Sequence, residues 1–189
     1  VIDQALHGGA TFIQLRAKGA DASELTEMAR DIAQIIEDNE KSDSVAFVID
    51  DRADVVWQAR RKGIKVDGVH IGQEDLPVPE VRRLVGPDML IGLSTHTPEQ
   101  AVAAVNAGAD YIGVGPIFAT QTKEDVVDPV GFDYLEWVAR NIELPFVAIG
   151  GIKEHNIADV ARHGARCCAL VSELVGAQDI HAKVEAVRR

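Results

Sequence analysis

Residues Pro98-Glu99-Gln100-Ala101-Val102-Ala103-Ala104-Val105-Asn106-Ala107-Gly108-Ala109-Asp110-Tyr111-Ile112-Gly113-Val114 carry the structural unit on which the fold is built. Pro98–Ala107 has the spacing of an amphipathic helix. Gly108 suits the left-handed position that closes a helix, after which the chain re-enters a sheet. Tyr111–Val114 is short and apolar, as a strand buried on both faces must be. The same Gly-Ala junction recurs at Gly9-Ala10 and Gly164-Ala165, the nearest approach to an internal repeat.

Outward from this unit, strands are expected at Thr11–Arg16, Val45–Asp50, Gly68–Ile71, Leu90–Leu93, Pro145–Ile149 and Cys167–Val171. Helical stretches separate them, including Ser23–Asp38, with Leu25, Met28, Ala29, Ile32, Ile35 and Ile36 at helical spacing, and Asn156–His163. Alternating strands and helices imply parallel βαβ units in a barrel or an open doubly wound sheet. No Gly-x-Gly-x-x-Gly follows a strand, which weakens the dinucleotide-binding alternative. A helix at Val1–Gly8 ahead of the first strand implies one strand more than the sequence contains. The expectation is an α/β (β/α)8 TIM barrel lacking its first strand, a single N-terminally truncated domain over residues 1–189.

Composition narrows the function. The 189 residues are 47% hydrophobic and 26% charged, an ordinary globular balance with material for one core. A net charge of −11 disfavours nucleic acid and anionic membranes, so an anionic ligand must be met by a few local cations or a metal. Cys167 and Cys168 are adjacent and read as reduced thiols. With no visible signal peptide or apolar span, a cytoplasmic protein is expected. Oligomeric state is not legible, and a homo-oligomer is compatible with the sequence.

Barrel active sites lie at the C-terminal ends of the strands. There the first strand offers Gln14, Arg16 and Lys18, an amide and two cations suited to a diphosphate or a solvated basic loop. Asp50 and Asp51 end the second strand; either could cap the next helix, or an aspartate there could pair with Asp75 of the loop after the third strand to hold Mg²⁺. Ser94 or Thr97 can cap a helix or donate to phosphate, and His96 is a weak candidate for a base. Thr120, Thr122 and Lys123 lie in a long loop after the fifth strand. Gly150, Gly151, Val171 and Ser172 follow the last two strands, where barrels often hold phosphate through backbone amides. Two separate anion sites and no nucleophile–base pair fit a transferase with one diphosphate and one monophosphate substrate.

These motifs in this order resemble the thiamine-phosphate synthase (thiamine-phosphate pyrophosphorylase) family. The resemblance rests on Gln14-Leu15-Arg16-Ala17-Lys18, Asp50-Asp51-Arg52, Val69 to Leu76, Gly113 to Lys123 and Ala148 to Ile152. It implies an enzyme that transfers the 4-amino-2-methylpyrimidin-5-ylmethyl group from its diphosphate to the nitrogen of thiazole phosphate, by a dissociative, Mg²⁺-assisted substitution. By the same resemblance, Gln14, Arg16, Lys18, Asp50, Ser94 and Lys123 would hold the pyrimidine diphosphate. Arg16, Lys18, Ser94 and Lys123 would act in catalysis, and Asp51 and Asp75 would bind Mg²⁺. Thr120, Thr122, Gly150, Gly151, Val171 and Ser172 would hold the thiazole phosphate. Asp50 departs from the family pattern, which usually has Asn there. The alternatives are a thiazole tautomerase of the same superfamily and a non-catalytic thiazole-phosphate binder or regulator.

Overall fold

The computed structural model describes residues 1–120 and 128–188. Seven strands form one parallel sheet: β1 (Phe12–Leu15), β2 (Ala46–Asp50), β3 (Gly68–Ile71), β4 (Leu90–Thr95), β5 (Tyr111–Val114), β6 (Phe146–Ile149) and β7 (Cys168–Ala169). Each pairs with its sequence neighbour, in the order β1-β2-β3-β4-β5-β6-β7. A doubly wound sheet reverses its order at a switch point; this one does not. Flat, β1 and β5 would stand about 19 Å apart, yet the Phe12 and Tyr111 rings meet edge to face at 5.4 Å. The sheet is therefore curled, a TIM-like barrel that lacks a strand.

Helices wrap the outside: α1 (Ile2–His7), α2 (Ala22–Asp38), α3 (Ala53–Arg61), α4 (Val78–Val85) and α5 (Pro98–Ala107). After these come α6 (Gly131–Asn141), α7 (Ile157–Arg162), the short α8 (Ser172–Val175) and α9 (Ile180–Arg188). The core lies between the helices and the outer face of the sheet, where Ile13, Phe47, Ile49 and Ile91 pack with Leu25, Ala29, Val55, Val56 and Val81. On α2 the buried positions are Leu25, Thr26, Ala29, Ala33 and Ile36, whereas Met28 faces outward. An arc drawn from apolar spacing is wider than the stripe that packing can cover.

Helix ends follow local chemistry. Asp21 caps α2 in a reciprocal capping box with Glu24. The junction glycines Gly9, Gly108 and Gly164 all have positive φ, as the chain reversal requires. Where the sheet ends at β1 and β7, the first and last described helices close the outer ring. Ala5 of α1 packs with Ile180 and Val184 of α9. No described helix is long and apolar enough to cross a membrane.

Candidate active site

Parallel pairing puts register partners on the same face of a sheet. Gln14 is opposite Val48, and Asp50 opposite His70. His70 is in turn opposite Gly92, and Gly92 opposite Tyr111. Alternation along each strand then places Gln14, Asp50, His70, Ser94 and Tyr111 on the inner face, where the Phe12–Tyr111 contact lies. Depressions at Trp57, Arg61 and Leu84, and at Thr11, Asp67 and Met89, lie away from this face.

The charged centre spans β1 and β2. Gln14 donates its amide N–H to Asp50 Oδ1 and Arg16 pairs with Asp50 Oδ2. Arg16 also reaches Asp51 Oδ2 at 3.3 Å, and Lys18 Nζ lies 3.9 Å from the same oxygen. The Asp50 side chain is 2% exposed and that of Asp51 30% exposed. Neither caps α3, whose N-cap is Arg52 without a side-chain cap bond. That removes the capping alternative for both carboxylates.

Asp51 sits at φ 62°, a left-handed conformation a non-glycine residue rarely holds, with its N–H donating to the His70 carbonyl at 2.8 Å. Burial holds its carboxyl above the usual range, and repulsion from Asp50 and Asp75 adds to this against the pull of Arg16 and Lys18. Asp75 also accepts the Gly72 N–H at 2.7 Å, fixing the loop after β3. A carboxylate crowded by neighbouring carboxylates in this way suits a cation. Among the described residues no three His, Cys, Asp or Glu side chains gather into a metal-holding group. A two-carboxylate site therefore fits Mg²⁺, which keeps waters and takes phosphate oxygens, and does not fit a caged metal.

Deeper in, a buried polar chain crosses three strands. His70 Nδ1 lies 2.9 Å from the Tyr111 hydroxyl and its Nε2 2.9 Å from Ser94 Oγ. Gln73 donates to the Ser94 carbonyl at 2.7 Å. Burial pushes the Tyr111 phenol well up, helped by the nearby Asp50 carboxylate, so it remains protonated. Sequence reasoning gave His70, Gln73 and Tyr111 no role. Uniformly buried β3 shows no alternation that would mark His70 as inward-facing.

Ser94 lies inside β4, two residues longer than expected, and Thr97 caps α5. His96 is engaged structurally, Nδ1 at 2.5 Å from the Gly115 carbonyl. Thr120 is half-buried in the loop after β5. Thr122 and Lys123 lie outside the described residues.

Gly150 and Gly151 have φ of 100° and 63°. A Cβ on Gly150 would meet Pro116 Cβ at 2.4 Å; one on Gly151 would meet Phe118 Cβ and the Ala119 carbonyl oxygen at 2.8 Å. Their bareness thus lets the loop after β5 lie against β6, where Ile117 N–H donates to the Ile149 carbonyl at 2.9 Å. Val171 and Ser172 are exposed just beyond β7. Lys183 of α9 ties these loops together through Glu154 (2.6 Å) and Glu173 (3.5 Å).

Comparison with known proteins places this geometry. The thiamine-phosphate synthase of Pelotomaculum thermopropionicum is 53% identical over 188 residues, 100% of this chain and 82% of that protein. That of Lawsonia intracellularis is 44% identical over 189 residues, covering 100% and 83%. The solved thiamine phosphate pyrophosphorylase from Pyrococcus furiosus superposes with a TM-score of 0.86 at 33% identity, over 99% of this chain and 85% of that one. A 3-hexulose-6-phosphate synthase, at 16% identity and a TM-score of 0.65 over 99% and 93% of the two chains, shares the fold alone. The thiamine monophosphate synthase model matches residues 1–174. With cations and carboxylates converging where that fold carries its chemistry, the chain belongs to the thiamine monophosphate synthase family.

Proposed function

We propose that this chain catalyses thiamine phosphate formation, transferring the pyrimidinylmethyl group from its diphosphate to the thiazole phosphate nitrogen. The observation that carries the reading is the convergence of Gln14, Arg16 and Lys18 on Asp50 and Asp51 at adjacent strand ends. A tautomerase or a passive binder of thiazole phosphate has no use for this diphosphate-and-metal set.

In the reaction, the methylene C–O bond breaks and its electron pair leaves on the diphosphate oxygen. The thiazole nitrogen lone pair then forms the new C–N bond. Asp51 and Asp75 would hold Mg²⁺, which supplies charge neutralisation for the departing diphosphate. Arg16 and Lys18, with Lys123 from the loop after β5, stabilise the same developing charge, and Ser94 orients the pyrimidine end. Thr120, Thr122, Gly150, Gly151, Val171 and Ser172 hold the thiazole phosphate. No protein nucleophile is needed. Incubation with both substrates and Mg²⁺ should give thiamine phosphate and diphosphate in equal amounts, with none in EDTA. Absence of product from folded protein would overturn the reading.

A further inference from the structure

Behind Ser94 lies a pair of polar side chains that the proposed reaction does not use. Tyr111 and His70 are both buried, and their rings occupy room left by glycines on β4 and β5. A Cβ on Gly92 would fall inside the Tyr111 ring, and one on Gly113 would meet His70 Cε1 at 3.2 Å. Among the described residues, the Tyr111 hydroxyl has one hydrogen-bond partner, His70 Nδ1 at 2.9 Å. Ser94 Oγ likewise has one, His70 Nε2 at 2.9 Å. These contacts determine where the protons sit. A neutral imidazole carries one N–H and one bare nitrogen. If Nδ1 held the proton, the Tyr111 oxygen would accept from it, and the phenol O–H would be buried with no acceptor. Leaving a buried donor unpaired costs its full desolvation. Tyr111 therefore donates to Nδ1, the ring proton is on Nε2, and Nε2–H donates to Ser94 Oγ.

We infer that Tyr111 is a positioning residue that acts through His70: it fixes the imidazole as the Nε2–H tautomer, which holds Ser94 Oγ as an acceptor and leaves the serine proton available to donate elsewhere. The inference rests on the role proposed for Ser94 and on no contact of Tyr111 or His70 with substrate. A hydroxyl held from behind in one orientation needs no rearrangement when the reaction begins, which is how a buried support raises turnover.

Nitrogen NMR of wild-type protein labelled at histidine reads the tautomer directly at mildly alkaline pH, where an ordinary imidazole is neutral. The His70→Asn spectrum identifies the signals. A protonated Nε2 and a bare Nδ1 are expected; a protonated Nδ1 would overturn the inference, whatever the variants do. Tyr111→Phe removes one hydroxyl and keeps the ring against Phe12. In that variant the Nδ1–H form should appear in measurable proportion, and kcat for thiamine phosphate formation should fall about tenfold as Ser94 loses its fixed orientation. Added to Ser94→Ala, the same change should lower kcat by less than about twofold, because its route to the reaction is already gone. An unchanged tautomer or an unchanged kcat in Tyr111→Phe, or equal losses in the two backgrounds, would overturn the inference. A role in packing alone produces those equal losses, since independent effects add. Product formation by the wild-type protein tests the reading of Ser94 separately. No product from folded protein that shows the Nε2–H tautomer removes that reading and leaves the tautomer standing.

Discussion

Arg16 is the residue through which the two strand ends are joined, and its replacement has two separable consequences. Arg16→Ala leaves the buried Asp50 carboxylate without its cation, which should cost about 3 kcal/mol in urea unfolding. Arg16→Lys keeps the charge but loses the planar fork. It should fold and lower kcat/KM for the pyrimidine diphosphate by about tenfold or more. Asp51 behaves in the opposite sense. Its carboxyl is held above the ordinary range, so the folded state binds more protons than the unfolded chain, and stability falls as pH climbs through the raised value. Asp51→Asn removes that penalty. Its melting temperature at neutral pH should equal or exceed that of the wild type while Mg²⁺-dependent turnover falls, a trade-off typical of functional carboxylates. Gln14, Arg16, Asp50 and Asp51 were all visible in the sequence as polar residues at strand ends. Their partners were not, because the capping and site readings of an Asp at a strand end differ only in where the side chain points.

At the scale of elements, two features outside the charged centre hold the site in place. Arg82 of α4 donates to Asp110, which itself accepts the Ile91 N–H at 2.7 Å at the start of β4. Its other N–H groups reach the carbonyls of Met89 and Gly86. Arg82→Ala should therefore destabilise by about 2–3 kcal/mol in chemical denaturation, with little direct effect on turnover. Gly151 keeps the loops after β5 and β6 in contact. Gly151→Ala adds backbone strain at φ 63° and a collision with Phe118, and should cost about 1–3 kcal/mol. Its KM for thiazole phosphate should rise more than its KM for the pyrimidine substrate. The strands themselves were well marked: Gly68–Ile71 and Tyr111–Val114 match the expected bounds, because apolar runs there stop at glycines or charges. Cys168–Ala169 is shorter than the expected Cys167–Val171. Apolar character persists past the last ladder hydrogen bond, so hydropathy overestimates an edge strand.

For the whole molecule, the alternation of strands with helices made a parallel sheet legible, and the missing glycine fingerprint favoured a barrel. The barrel reading already implied a curved sheet, although no single residue encodes the curvature. It emerges from seven strands each paired to its neighbour and from Phe12 and Tyr111 meeting across the interior. Sequential pairing sets β1, β2 and β3 side by side at the mouth, and with them the carboxylates of Asp50, Asp51 and Asp75 and the cations Arg16 and Lys18, in a chain whose net charge is −11. On the proposed reading, this locality supplies most of the diphosphate affinity. The most direct measurement is calorimetric titration of inorganic diphosphate, the leaving group, into wild-type protein and the Asp51→Asn, Asp75→Asn double variant, with and without Mg²⁺. The account predicts Mg²⁺-dependent binding to the wild type that weakens by about tenfold or more in the double variant. Equal affinity in the two proteins, or binding indifferent to Mg²⁺, would contradict it.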